Sequence, residues 1–406
     1  MSSATLPQTA SNGLAFAVLS PAVNRRRGTE RAVAELVDRL ARGYAHEIHL
    51  YAQQVDDLPV QQYSGIAAAA SHGRVIWHRM PRIPVPHLLG FQFWMLENRI
   101  ARTWDRLVHG LKFDVVFSPG INAVRADVIL VHAVFHRLRE LQNTRADWSV
   151  RGLHRRLYYR LLCSLESWVY RRKSVRLAAV SQHTAEQLKR YFGRTDVTVI
   201  PNGVDLSHFS AEKRQLLRTD ARRELGYSDA DLMLLLVGND LRNKGLPVLM
   251  SAFAKCRDLP VHLCVVSADA SMRGTEAEVP PEIRGRVKFL GETPNILSIY
   301  AAADVYVAPS LEDSFNLPVL EAMACGLPVV VSTSAGISEY LRDGEDAMLL
   351  KDPRNADELA ALLRQLLGTP GLSARMARNA IQTASTLTWD RHAEAFARMV
   401  DGGASN

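Results

Sequence analysis

Residues 310–332 read SLEDSFNLPVLEAMACGLPVVVS, and one carboxylate, Glu321, stands inside the otherwise apolar run Leu317–Cys325. Val305–Pro309, just ahead, has the composition of a buried strand, and Ser310–Asn316 reads as its loop. Leu317–Cys325 then predicts a short helix with Pro318 tolerated in its first turn, Gly326 as its stop and Pro328–Ser332 as the next strand. A buried, unpaired carboxylate costs several kcal/mol (about 2–7 even for a neutral polar group), so Glu321 requires a partner. It lies one turn in, too deep to cap the helix. The expected partner is a ligand: free N–H groups at the helix start suit an anion, and the carboxylate can accept two hydrogen bonds from a vicinal diol such as a ribose.

Working outward, the strand–helix pattern recurs. Leu14–Ser20 precedes a helix through Glu30–Arg42, and Glu47–Ala52, Val75–His78, Val115–Ser118, Val128–His132, Leu177–Ser181 and Val197–Ile200 read as further strands. A polar, charged stretch follows Pro201-Asn-Gly203 to about Ser228. The alternation then resumes at Leu232–Gly238, His262–Ser267 and Val287–Leu290. Strands alternating with helices over 406 residues predict an α/β chain of two doubly wound, Rossmann-like domains, with a hinge near 201–215. In such sheets ligands lie beyond the carboxyl ends of the strands, which gives weight to residues 24–28, 132, 181, 238–244 and 310–316. Two sheets facing each other predict a central cleft for a sizeable substrate.

Composition narrows the classes. With 47% hydrophobic and 22% charged residues the chain is of ordinary globular type. The first apolar run, Leu14–Leu19, is too short for a signal core or a membrane span, so the expectation is a cytoplasmic protein. Cys163, Cys256, Cys264 and Cys325 stand far apart without zinc spacing; they read as core residues, and no metal or other cofactor is expected. Residues 1–200 carry 28 Lys and Arg against 15 Asp and Glu, the remainder 21 against 27. The basic half should meet something anionic, such as phospholipid headgroups or a phosphorylated acceptor. No aromatic-interleaved or helix-turn-helix signature accompanies the charge, so nucleic acid is not expected.

The stretch PSLEDSFNLPVLEAMACGLPVVVS, followed by Gly336-Ile-Ser-Glu339 and Asp343-Gly344, resembles the signature of family 4 retaining glycosyltransferases, which have the two-domain GT-B fold. Their motif is two acids separated by seven residues, matched here by Asp313 and Glu321. The resemblance implies that Glu321 holds the donor ribose and that the acid at 313 contacts the donor sugar. LLLVGNDLRNKGLPVLMSAF is similar to the family's strand, glycine turn and KG at the donor diphosphate, which picks out Gly238, Arg242 and Lys244. RRRGTERAVAELVDRLARGY resembles the first glycine loop, at Gly28, and DVILVH the strand ending in an active-site histidine, His132. Ser314, Phe315, Asn316 and Leu317 complete the implied donor site. VTVIPNGVDLSHF resembles the linker and LTWDRHAEAF the tail helix that crosses back, so the domains are expected at 1–202, 203–387 and 388–406. Three positions depart from the pattern: Asp313 replaces the commoner Glu and has Glu312 beside it, Asn316 replaces a glycine, and Asn239 stands where an arginine is common, leaving Arg242 as a substitute.

Other features carry plainer alternatives. Lys244 could be a solvated helix-start lysine, His132 a satisfied strand-end histidine, and Arg25–Arg27 a basic surface loop. Glu339 reads as a capping or surface residue, Asp229-Ala-Asp231 as a turn rather than a metal motif, and Thr184-x-x-Gln187 as a capping box. Arg151, Arg155, Arg156 and Arg160 share a helix whose other face carries Leu153, Leu157, Leu161 and Leu162, a pattern that suits an anionic membrane surface or a packed helix. Phe91-Gln-Phe-Trp94 is an acceptor wall or core. The implied activity is hexosyl transfer, retaining and metal-independent, from a UDP- or GDP-sugar to a glycan, lipid-linked or lipopolysaccharide-type acceptor, at the inner face of the cell membrane. A nucleotide-sugar epimerase of the same fold and a catalytically silent donor-binding scaffold are the rival readings.

Overall fold

The computed structural model describes residues 13–402 apart from 27, 65–72, 83–86, 143–149, 269–273, 275 and 277–278. The chain divides into two units, Met1–Pro201 with Trp389–Asn406, and Asn202–Thr388.

The first unit is built on β1 (Ala15–Leu19), β2 (Ala22–Val23), β3 (Glu47–Ala52), β4 (Gln54–Val55), β5 (Gln61–Gln62), β6 (Val75–Arg79), β7 (Val115–Pro119), β8 (Val128–Val131), β9 (Arg176–Ala179) and β10 (Val197–Val199). Eight of these form one parallel sheet in the order β10-β9-β8-β7-β1-β3-β6-β5, while β2 pairs with β4. Its helices are α1 (Gly28–Tyr44), α2 (His87–Val108), α3 (Phe135–Gln142), α4 (Val150–Tyr170) and α5 (Gln182–Phe192), joined by the C-terminal helix Trp389–Asp401. Register sorts them onto two faces. Phe117 is opposite Val128, so Val116 shares the other face with Ile129 and Val131. That other face is closed by Trp94 of α2, Leu162 and Val169 of α4 and Leu188 of α5. On the Phe117 face the C-terminal helix brings Phe396, ring centroids 4.9 Å apart.

The second unit carries β11 (Leu232–Val237), β12 (Val261–Val266), β13 (Val287–Leu290), β14 (Val305–Ala308), β15 (Val329–Ser332) and β16 (Met348–Leu350) in a six-stranded parallel sheet, order β13-β12-β11-β14-β15-β16. Strands such as LMLLLV lack polar alternation because helices cover both faces. Those helices are α6 (Ala211–Leu225), α7 (Leu246–Lys255), α8 (Ile296–Ala302), α9 (Leu317–Ala324), α10 (Ala356–Gly368) and α11 (Leu372–Thr386). Both units are thus doubly wound α/β sheets. No described helix is long and apolar enough to cross a membrane.

Two local expectations change. The polar stretch after Gly203 contains α6, capped by the Ser210 hydroxyl and closed by Gly226 at φ 75°. It is fixed by cations rather than an apolar stripe: Arg222 is buried and donates to Ala302 O at 2.8 Å and Asp304 Oδ2 at 3.1 Å, and Arg214 reaches Ala303 O at 2.7 Å. At α5 the cap is Ser181, whose hydroxyl accepts from Thr184 N; Gln187 instead meets His183 at 2.9 Å, so Thr184 starts no capping box.

Candidate functional site

The chemistry concentrates at the carboxyl ends of β11 and β14. After β11 the chain turns at Gly238, φ 150°, and the Lys244 side chain lies across it: a Cβ on Gly238 would fall 2.8 Å from Lys244 Cε. Gly245 follows at φ 80°, where a Cβ would stand 2.0 Å from the Pro309 carbonyl oxygen at the end of β14. Only glycine permits this approach, which locks the 238–245 loop to the 309–316 loop. Asn243 adds two bonds, its side chain donating to Glu312 O at 2.9 Å and its carbonyl accepting from Leu311 N at 2.8 Å.

The result is an ion pair, Lys244 Nζ to Asp313 Oδ2 at 2.6 Å, both side chains partly exposed. Asp313 Oδ1 accepts from Phe315 N at 3.2 Å, which fixes the carboxylate. Of the two adjacent acids, Asp313 is the one aimed at Lys244, while Glu312 is buried. Asn239 is turned away: its Oδ1 accepts from Ala268 N at 2.9 Å, and Arg242 is exposed on the same turn. Asn316 takes φ 75° as the residue preceding α9, and its Oδ1 is buried without a hydrogen-bond partner. Phe315 and Leu317 are buried, and Ser314 half-buried, in this loop. The 3₁₀ turn Gly336–Tyr340, which holds Glu339, is stitched to the loop through Gly336 N to Asp313 O at 2.9 Å and Ile337 N to Phe315 O at 2.9 Å.

Glu321 is buried in the second turn of α9, as its apolar neighbours require. The sequence led to a ligand as the partner; the protein itself supplies one, the Tyr300 hydroxyl, which stands 2.8 Å from Glu321 Oε2. Tyr300, on α8, is fully buried, and its hydroxyl pKa is raised well above the usual value by burial and by the Glu321 charge. The sequence alone did not mark this residue, since a tyrosine in ILSIYAA reads as core.

In the first unit His132 follows β8, and neither ring nitrogen has a hydrogen-bond partner. Burial, with His392 of the C-terminal helix adding to it, pushes its pKa down to about 3. His392 is likewise lowered, to about 4, chiefly by burial; its Nδ1 lies 2.8 Å from Pro201 O. Gly28 is the exposed first residue of α1. Arg25 is engaged by Glu35 at 3.0 Å and Asp38 at 2.8 Å, and Arg26 by Asp57 at 3.1 Å, so these two arginines hold the loop rather than face an open site. Arg27 lies outside the described residues.

Elsewhere, Asp231 Oδ2 accepts from Ser228 N at 2.6 Å, which makes Asp229-Ala-Asp231 a turn. A grouping that sequence spacing missed, His136, Cys163 and Glu166, has ligand-type atoms within 4.8 Å of one another. Glu166 already accepts from Phe135 N at 2.7 Å, His136 N at 3.1 Å and His136 Nδ1 at 2.8 Å, so it caps the start of α3. On α4 Leu162 is buried, but Leu153, Leu157 and Leu161 are exposed, so the four leucines do not share one buried face; the side chain of Arg151 lies outside the described residues. Trp94 is core, Phe93 exposed.

Lys244, Asp313 and the start of α9, with Glu321 one turn further in, thus gather at one edge of the second unit's doubly wound sheet. The family model described as Glycosyl transferases group 1 matches residues 231–369, and that described as Glycosyltransferase Family 4 matches residues 26–208. The chain belongs to the family 4, group 1 glycosyltransferases. The D-inositol 3-phosphate glycosyltransferase of Nocardiopsis dassonvillei is 29% identical over 395 residues, 91% of this chain and 88% of that protein. Matches to further D-inositol 3-phosphate glycosyltransferases span about half the length of those proteins. Two solved structures share the fold: WaaG, a glycosyltransferase involved in lipopolysaccharide biosynthesis (TM-score 0.75, 20% identity, 96% of this chain and 100% of that one), and Anabaena HepE in complex with UDP and glucose (0.68, 19%, 96% and 100%).

Proposed function

We propose that this protein moves a hexosyl group, with retention and without a metal, from a nucleoside diphosphate sugar, UDP first and GDP second, to an acceptor that carries phosphate. The observation that carries the reading is the Lys244–Asp313 pair, pinned over Gly238 just before a helix whose second turn buries Glu321. In this reading Lys244 and the N–H groups at the start of α9 take up the charge of the departing diphosphate, with Arg242 adding to them. Asp313 accepts from hydroxyls of the donor sugar, and Glu321 reaches the ribose. Gly28 offers backbone to the donor side and His132 orients the reacting hydroxyl as a neutral imidazole. The acceptor oxygen bonds to the anomeric carbon from the face that the diphosphate leaves. The carbon–oxygen bond to phosphate breaks, and the acceptor proton passes to the departing diphosphate.

The basic balance of residues 1–200 supports an anionic acceptor, either a phosphorylated polyol of the kind named for the curated relatives or a lipid-linked glycan. Peripheral contact with an anionic membrane belongs to the same reading.

The test is product analysis with UDP- and GDP-sugars and phosphorylated acceptors, the anomeric configuration read by NMR. A retained glycoside supports the proposal. An inverted one contradicts retention, isomerised donor without acceptor identifies an epimerase, and absent nucleotide binding by folded protein identifies a scaffold.

A further inference from the structure

Ten of the twelve large hydrophobic side chains exposed among the described residues lie on just two helices of the first unit, α2 and α4. On α2 they are Phe93, Leu96, Ile100, Trp104, Leu107 and Val108; on α4, Leu153, Leu157, Leu161 and Trp168. Steps of three, four and seven residues line them into one stripe per helix. The opposite sides of the helices face inward: Trp94, Asn98 and Asp105 on α2, Leu162, Glu166 and Val169 on α4 are buried. Both helices cover the same face of the eight-stranded sheet, and Phe91 of α2 packs on the cluster that α4 closes. The two apolar stripes therefore belong to one outer layer of the unit. A stripe of this extent on a water-facing layer marks an interaction surface.

Charge selects the partner. The exposed charged side chains described on the two helices are Arg99, Arg106, Arg155 and Arg160, all basic. Their acids are withdrawn: Glu97 is half-buried, and Asp105 and Glu166 are buried. Just past α4, Arg171 and Lys173 are exposed and the Arg172 guanidinium lies 3.3 Å from the centroid of the Trp168 ring. Tryptophan with arginine at the rim of an apolar stripe suits the boundary between acyl chains and headgroups. A second copy of this chain would bring the same cations against each other, which disfavours it as the occupant.

We propose that the outward faces of α2 and α4 dock in the plane of an anionic phospholipid bilayer. The proposal deepens the peripheral membrane contact of the transfer reading by giving it a place on the molecule, while the observations behind it are separate from the donor site.

The test is flotation of the full chain with vesicles of phosphatidylcholine alone or mixed equally with phosphatidylglycerol, at low and high salt. Wild type is expected to bind the mixed vesicles about tenfold or more tightly than the neutral ones, with loss at high salt. Tryptophan emission should shift to the blue on binding. The W104S/W168S double variant should lose vesicle binding about tenfold while keeping its melting temperature and nucleotide affinity. Equal binding by wild type and variant overturns the proposal, as does wild type that floats with neither vesicle. A solution dimer that the variant converts to monomer, without vesicle binding, overturns it in favour of a second copy. Donor binding measured in parallel keeps a failure here distinct from a failure of the transfer reading.

Discussion

Lys244 Nζ and Asp313 Oδ2 stand 2.6 Å apart although they come from the loops of two different strands. The pair needs the bare Gly238 beneath the lysine chain, and its position on the rim of α9 gives the lysine its proposed task. Lys244→Ala is expected to lower kcat by about 10²–10³, the range seen when one donor to a developing charge is removed. Asp313→Asn releases the lysine but removes a contact to the sugar, so its effect should appear in KM as well as kcat. Steady-state kinetics of both variants check this; an unchanged kcat for Lys244→Ala contradicts it.

Gly245→Ala adds a Cβ that meets Pro309 O at 2.0 Å in a backbone with φ 80°. The conformation alone costs a non-glycine residue of order 1–3 kcal/mol, and the carbonyl cannot move without shifting the end of β14. The melting temperature should fall by roughly 5 °C or more, with donor affinity falling too. Differential scanning calorimetry beside nucleotide titration measures both.

Tyr300→Phe removes the hydroxyl 2.8 Å from Glu321 Oε2 while keeping the ring. Loss of a hydrogen bond to a buried acceptor costs about 1–3 kcal/mol, so urea unfolding should register that loss. Donor KM should rise while kcat changes little, since Tyr300 acts by orienting Glu321 and not on the reacting atoms.

His132 and His392 are held neutral, with pKa values lowered by burial to about 3 and about 4. Unfolded histidine titrates near 6.5, so as pH falls below about 6.5 the unfolded chain binds protons that the folded one refuses. Stability contributed by these groups is full above that pH and is lost progressively down to the folded pKa values. The urea midpoint should drop between about pH 7 and pH 5, and less steeply in His392→Gln. Equal slopes for wild type and variant would contradict the assignment.

Much of this was legible in the sequence because the second unit's strands are continuous apolar runs with glycine turns at their ends. The loop nature of 310–316 followed from its place after an apolar strand, and Asn316, which stands where the resembled pattern has a glycine, takes a positive φ. What sequence could not give came from contacts between distant positions. Tyr300 completes Glu321 from another helix, and His392 joins His132 from the far end of the chain. Helix α6 was hidden because AEKRQLLRTDARREL has few apolar positions; its order comes from arginines that bond carbonyls about eighty residues away. The stripe on α4 reads in sequence as either a membrane-facing or a packed face, since periodicity fixes which residues share a face but not which way that face turns.

The central claim rests on Glu321, and calorimetric titration of UDP, GDP and their sugars into wild type and Glu321→Ala tests it most directly. The account predicts selective binding of one nucleotide by wild type and loss of about 100-fold or more in the variant, whose circular dichroism stays native; a carboxylate accepting bonds from a diol is worth that much when water is excluded. Unchanged nucleotide affinity in a folded Glu321→Ala protein would contradict the ribose role and, with it, the donor site assigned to this sheet edge.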